Sequence, residues 1–261
     1  MNLDLAGKHA VVCGSTQGIG RASAVELALL GASVTLIARN EDKLKMVLNE
    51  LPSSKGVVHD YIAADFSFPD DLRTKVTDYA RTHTVHILVN NTGGPPAGQA
   101  IDARTEDFIQ AFSNHLLCNH ILVQAFVDGM KKVNYGRIIN VISTSVKIPI
   151  RGLGVSNTIR GAVANWSKTL SLELASFGIT VNNVLPGSTM TGRLESLITA
   201  NAQKAGKTFD EAKQDMIREI PAGRIAESHE VAAAIAFLAT PAAGYINGIN
   251  VPVDGGRTGN L

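Results

Sequence analysis

The sequence predicts an α/β fold: a doubly wound parallel sheet of about seven strands with helices on both faces, built as one domain over residues 1–261. Three observations carry that prediction. Short β-rich runs recur along the chain, most of them are continuously apolar rather than alternating, and segments of helical period separate them. Strands covered on both faces are apolar throughout, and strand–helix alternation implies parallel pairing through crossover helices. At 261 residues and 45% hydrophobic, the chain can bury a core of that size.

The runs expected as strands are His9–Cys13, Ser33–Ala38, Val57–Ile62, His86–Asn90, Arg137–Ile142, Ile179–Leu185 and Asn250–Val253. After the first of them, Arg21–Leu30 places Ala22, Val25, Leu29 and Leu30 on one face, which predicts a helix packed on the sheet. Ala162, Val163, Trp166, Leu170 and Leu174 form a second helical stripe, expected as core or subunit contact. The longest stretch without a strand runs from Ser188 to about Pro221. It is polar with helical patches and follows a strand end, where such sheets place their ligands. A substrate lid over 188–221 is expected there, with a surface helix pair as the alternative.

Charge and composition narrow the partners. Lys+Arg 24 against Asp+Glu 23 leaves no basic excess, which argues against nucleic acid and anionic membranes and for a small molecule. No apolar run approaches the roughly 20 residues needed to span a bilayer. Met1-Asn2-Leu3-Asp4-Leu5 runs into a strand without the basic and apolar regions of a signal peptide, so a soluble cytoplasmic protein is expected. Cys13 and Cys118 lie far apart and are expected as buried, reduced thiols. The histidines show no ligand spacing, so no metal site is expected.

The first strand ends at Cys13, and Gly14-Ser15-Thr16-Gln17-Gly18-Ile19-Gly20 leads into the following helix. Glycines there permit a tight turn, close backbone approach to a pyrophosphate and close helix–sheet packing, while the helix N-terminus offers free N–H groups. The spacing gains force from its place in a βαβ unit. Strand two ends at Ala38-Arg39-Asn40, where an NAD enzyme carries an acid for the ribose 2′-hydroxyl. Ala38 cannot fill that role, and the planar fork of Arg39 suits a 2′-phosphate, so NADP(H) is the expected cofactor.

Further segments resemble the short-chain dehydrogenase/reductase family over nearly the full length, most closely its β-ketoacyl carrier-protein reductase-like members. Ala64-Asp65-Phe66 is similar to the stretch that carries the family's adenine-contacting Asp. Asn90-Asn91-Thr92-Gly93 resembles its Asn-Asn-Ala-Gly. Leu185-Pro186-Gly187-Ser188-Thr189-Met190-Thr191 resembles the Pro-Gly segment that meets the carboxamide, and Asp254-Gly255-Gly256 is a typical ending. The resemblance implies a Rossmann-like domain and a cofactor site made of Gly14, Ser15, Thr16, Gln17, Gly18, Ile19, Arg39, Asp65, Phe66, Asn91, Thr92, Gly93, Arg160, Pro186, Gly187, Thr189 and Thr191. It also implies a homo-oligomer, a tetramer or dimer, paired through the long helices that contain His115 and Ser156.

The proton-transfer positions depart from the family. Its tetrad is Asn, Ser, Tyr and Lys; carried over, these fall on His115, Ser143, Ser156 and Arg160. Only the serine is retained. A serine hydroxyl is a much poorer acid than a phenol, and Arg stays protonated, so it cannot relay a proton. Ser143 and Ser156 are expected to hydrogen-bond the substrate oxygen, with Arg160 on the ribose and the proton drawn from His115 or water. His115 also reads as an ordinary helix histidine bonded to a backbone carbonyl. Two functions fit this pattern: an NADP(H)-dependent oxidoreductase on a carbonyl or alcohol substrate with altered proton chemistry, or a catalytically silent NADP-binding protein.

Overall fold

The computed structural model describes residues 1–53 and 56–259. Seven strands form one parallel sheet: β1 (His9–Cys13), β2 (Ser33–Ala38), β3 (Asp60–Ala63), β4 (Ile87–Asn90), β5 (Gly136–Val141), β6 (Ile179–Pro186) and β7 (Asn250–Val253). Their order is β3-β2-β1-β4-β5-β6-β7, with every pairing parallel. The chain runs from β1 outward through β2 to β3 and then crosses back to β4 on the other side of β1, and that reversal opens a crevice at the carboxyl ends of the strands.

Alternate residues of the strands feed two core layers. Ala10, Val12, Val34, Leu36 and Val89 face one way, against Leu27 of α1 (Gly18–Leu29) and Ile235 of α9 (Ser228–Ala239). Val11, Cys13, Leu88 and Ile138 face the other way, against Val76 of α3 (Pro69–Thr82) and Leu122 and Phe126 of α5 (Cys118–Lys132). Burial on both faces explains why these strands are continuously apolar. The remaining helices are α2 (Glu41–Glu50), α4 (Thr105–Phe112), α6 (Gly154–Leu174), α7 (Gly192–Ala205) and α8 (Phe209–Arg218).

Two expectations are corrected. The third strand, expected over Val57–Ile62, forms at Asp60–Ala63, because its only partner β2 pairs from Thr35↔Asp60 onward and leaves Val58 78% exposed. Of the expected α1 stripe, Val25 and Leu30 pack against the core, but the fully buried face is another one. It is Gly20, Ser23, Ala24, Leu27 and Ala28, while Leu29 is 61% exposed. Small residues face inward there because the helix lies close to the sheet. The second stripe holds: Val163 and Leu174 are buried, and Trp166 and Leu170 pack against the core.

Residues 188–221 contain α7 and α8, which pack as a pair around Leu194, Ile198, Met216 and Ile220. Thr191 and Thr208 cap them, each hydroxyl accepting from a backbone N–H of the first turn. Among the described residues no helix is long and apolar enough to cross a membrane, and no cluster of His, Cys, Asp and Glu has the geometry to hold a metal ion.

Candidate active site

The β1–α1 turn is fixed by its glycines. Gly14 and Gly18 adopt φ of +60° and +54°, in the left-handed region that L side chains avoid. A Cβ on Gly14 would meet the Asn91 carbonyl oxygen at 2.5 Å, and one on Gly20 would strike the Gly14 carbonyl oxygen at 2.2 Å. Asn91 clamps the turn, its Nδ2 donating to the carbonyls of Cys13 (3.2 Å) and Gly14 (3.4 Å). Ser15 is buried and its hydroxyl donates to the Ile37 carbonyl; Thr16 is half-buried, and Ile19 packs against the core. Gln17 stands at the N-cap of α1 with no side-chain cap bond, so first-turn N–H groups face the crevice uncapped. A cleft of about 430 Å³ adjoins this turn, with Gly18, Thr191 and Gly192 in its walls. A backbone cradle with no room for a Cβ and an uncapped helix N-terminus fits a dinucleotide pyrophosphate.

The rest of the crevice rim comes from other strand ends. Arg39 follows β2, is exposed, and makes no hydrogen bond or ion pair with the described residues. Asp65 and Phe66 follow β3; Asp65 Oδ1 accepts from the Ser67 N–H at 2.9 Å, and the Phe66 carbonyl accepts from Cys118 Sγ. Pro186 ends β6, and Gly187 packs where a Cβ would lie 2.7 Å from Asp254. The Thr189 hydroxyl donates to the Gly187 carbonyl, and Thr191 lies against Gly18. Behind the rim, Asn90, Asn140, Asn183 and Asn250 pass side-chain amide bonds of 2.8, 3.0 and 2.8 Å from β4 across to β7. Sequence reasoning singled out only the first of these. The other three become visible as a set only when the strand register aligns them.

The proton end gathers where β4, β5 and α6 converge. Ser143 follows β5 and starts a single 3₁₀ turn, its Oγ accepting from the Ser145 N–H at 3.1 Å. Ser145 Oγ is buried without a hydrogen-bond partner among the described residues. Ser156 lies in the first turn of α6, half-buried and without a hydrogen bond to the described residues. One turn later Arg160 is 8% exposed and donates from Nη1 to the Val141 carbonyl (3.0 Å) and from Nη2 to the Thr92 carbonyl (3.5 Å). Thr92 also bridges to His115, whose Nδ1 lies 2.6 Å from the Thr92 hydroxyl. Gly93, next in the loop, is exposed.

His115 sits in a π-helical segment, Ser113–Leu117, between α4 and α5, and is 3% exposed. Burial, reinforced by the charge of Arg160, lowers its pKa to about 3. Burial and the Arg160 charge thus disfavour the imidazolium form, which weighs toward water between the two expected proton sources. Its hydrogen bond runs to a side-chain hydroxyl rather than to a backbone carbonyl. Arg160 is also displaced from its ordinary pKa, to about 10, by burial and then by Arg193. It remains a cation at neutral pH.

Arg193 was not anticipated. It lies in the first turn of α7, two residues past Thr191, and its Nη2 donates to the Pro95 carbonyl at 2.5 Å. One sequence signal was available: a cation in the first turn of a helix opposes the macrodipole, so such a residue calls for another reason to be there.

Known proteins match over nearly the whole chain. The profile of the family described as Enoyl-(Acyl carrier protein) reductase matches residues 14–258. A 3-oxoacyl-[acyl-carrier-protein] reductase, FabG, of Haemophilus influenzae is 34% identical over 251 residues, covering 96% of this chain and 98% of the relative. A tropinone reductase homolog of Arabidopsis thaliana is 31% identical over 258 residues, covering 98% and 94%. The crystal structure of L-sorbose reductase from Gluconobacter frateurii, complexed with NADPH and L-sorbose, superposes with a TM-score of 0.93 at 29% identity over 100% of both chains.

Proposed function

The chain belongs to the short-chain dehydrogenase/reductase family, and from that membership we propose an NADP(H)-dependent oxidoreductase acting on a carbonyl or alcohol substrate without a tyrosine acid. The observation that carries the reading is the glycine cradle clamped by Asn91, whose neighbour Thr92 accepts from Arg160 through its carbonyl. Relatives named as reductases favour an enzyme over a silent binder, and the NADPH in the L-sorbose reductase crystal supports the cofactor.

Each part of the site has a task in this reading. Gly14 to Gly20 and the first turn of α1 hold the pyrophosphate, and Arg39 pairs with the 2′-phosphate. Asp65 and Phe66 border the adenine, while Asn91, Thr92, Gly93, Pro186, Gly187, Thr189 and Thr191 border the nicotinamide half. The dinucleotide, when bound, supplies the hydride that converts the carbonyl to an alcohol. Ser143 and Ser156 donate hydrogen bonds to the substrate oxygen. Arg160 keeps unengaged N–H donors for the ribose and sets a positive potential that stabilises developing negative charge on that oxygen. With His115 neutral, water supplies the proton, and His115 acts as a positioning residue that fixes Thr92, which in turn accepts from Arg160. Acid catalysis is worth about 10²–10⁴ in rate, whereas holding donor and acceptor together is worth up to about 7–11 kcal/mol. A reductase that lacks the tyrosine is slower and still feasible.

The α7–α8 pair is assigned as the substrate lid, and the assembly as a homotetramer or dimer of a cytoplasmic protein. Titration with NADPH followed by a panel of carbonyl compounds tests the activity. NADPH binding with turnover supports the proposal; binding with no turnover, in native protein and in the Ser156→Tyr/Arg160→Lys double variant alike, overturns it in favour of a silent binder.

A further inference from the structure

Two arginines converge on one loop from different elements. Arg160 rises from α6 and donates to the carbonyls of Val141 and Thr92, and Arg193 reaches across from α7 to the carbonyl of Pro95. Between them lies Gly94. A Cβ there would have an Arg193 Nη2 at 3.6 Å and an Arg160 Nη2 at 3.9 Å, so both guanidiniums border the same small space.

No acid balances them. None of the ion pairs among the described residues includes either arginine. Arg160 is buried and Arg193 is exposed at the rim; partial burial lowers the pKa of Arg193, and burial together with the Arg193 charge lowers that of Arg160, as expected for a buried cation with a like charge beside it. The N-terminus of α7 adds a further positive partial charge beside Arg193. Three unfavourable terms thus coincide: the burial of Arg160, the like charge of Arg193 beside it, and the α7 dipole against Arg193. An anion seated between the two forks offsets them together through charge-assisted hydrogen bonds.

The position of the recess distinguishes two sources of that anion. The pyrophosphate cradle lies at Gly14 to Gly20, on the side of Thr191 that packs against Gly18. Arg193 turns the other way, onto Pro95, and Arg160 is bonded to the last residue of β5, two before Ser143 and one helical turn after Ser156. Arg160 thus ties the recess to the two elements that carry the serines, β5, which Ser143 follows, and α6, whose first turn holds Ser156. We infer that the substrate is an oxo acid or the matching hydroxy acid, its carboxylate held between Arg193 and Arg160 while its carbonyl or hydroxyl oxygen meets Ser143 and Ser156. The carbonyl half of this statement rests on the oxidoreductase reading above; the carboxylate half rests on the arginines alone.

The test uses two acid and ester pairs, acetoacetate with methyl acetoacetate and pyruvate with methyl pyruvate, on the full chain and on Arg193→Met and Arg193→Lys. Calorimetry is run with and without saturating NADP⁺, and turnover is followed with NADPH. The expected result is tighter binding of at least one acid than of its ester in the native protein. Arg193→Met should weaken that acid about tenfold to a hundredfold, the size of a lost charge-assisted hydrogen bond, with ester and NADPH affinities unchanged within about twofold. Arg193→Lys should recover part of the loss. Equal affinity for acids and esters in the native protein, or no measurable binding of either acid, overturns the inference. So does a parallel loss of NADPH affinity in Arg193→Met with the acid-to-ester ratio unmoved, which assigns the arginine to the cofactor phosphates. If NADPH binds but nothing turns over, the functional reading falls while acid binding in the calorimeter still decides the recess.

Discussion

The glycine turn after β1 and the polar cluster around α6 lie along the same edge of the sheet and are built in opposite ways. At the turn, backbone meets backbone: Gly20 packs on the Gly14 carbonyl, and Asn91 ties Cys13 and Gly14 together. At the cluster, side chains converge with groups left over, among them Ser145 Oγ, Ser156 and two arginines without an acid. A site made of backbone tolerates few residue types, so its sequence is constrained and readable. A site made of side-chain chemistry can exchange its members while the surrounding chain stays in register, which is how Ser156 and Arg160 stand where a tyrosine and a lysine are expected.

The largest effect should come from the constrained end. A methyl at Gly20 would sit 2.2 Å from a carbonyl oxygen and 2.7 Å from Asn91 Nδ2, and the first of these cannot swing away. Gly20→Ala should lose about 1–3 kcal/mol of stability and abolish NADPH binding. Thermal denaturation and NADPH fluorescence measure the two. Near-native values for both would break the contrast drawn between the ends.

Acid stability comes next, and it separates the proton end from the rest of the sheet. Burial holds the folded-state pKa of His9 at about 4 and that of His115 at about 3, both below the ordinary imidazole value of 6.5. Below pH 6.5 the unfolded chain binds protons that the folded chain refuses. Stability is therefore full above about 6.5 and falls as the pH drops toward 4 for His9 and 3 for His115, each contributing about 1.4 kcal/mol per pH unit. Denaturant melts between pH 7 and 4 should show the decline, and His115→Gln should make it shallower while leaving the His9 share. A melt profile flat from pH 7 to 4 contradicts the burial of both rings.

Much of the fold was legible because its signals are local. Continuous apolar runs marked the strands, and positive-φ glycines marked the turn. What escaped depended on partners distant in sequence. Val57 and Val58 look like strand until β2 is seen to begin its pairing with Asp60. The asparagine relay exists only through register across four strands, and Arg193 reads as an ordinary exposed helix residue until Gly94 and Arg160 appear beside it. For His115 the position was readable and the environment was not. Its pKa is set by a burial that no spacing reveals.

Arg39 offers a milder test, because it adds affinity at an exposed rim without shaping the cradle. Arg39→Ala should reduce the preference for NADPH over NADH by about tenfold to a hundredfold, the size of one charge-assisted bond to a phosphate. Binding titrations with both cofactors report it. An unchanged preference moves the 2′-phosphate contact elsewhere.

The smallest expected effect bears most directly on the proton end. If His115 were the acid, His115→Asn would lower kcat by about 10²–10⁴. The ring is neutral and bonded to the Thr92 hydroxyl, and Thr92 accepts from Arg160 through its carbonyl, so the substitution should remove a positioning contact only. Asn can still reach a hydroxyl, and the expected drop in kcat is less than about tenfold, one hydrogen bond of about 1 kcal/mol. The pH profile of kcat supplies a readout that loss of packing alone would not move. With water as the donor, no imidazole inflection should appear between pH 5 and 8 in the native enzyme, and none should vanish in the variant. An inflection present in native protein and absent in His115→Asn would mean that cofactor and substrate together raise this pKa back into range, and the water-borne proton would give way to the histidine.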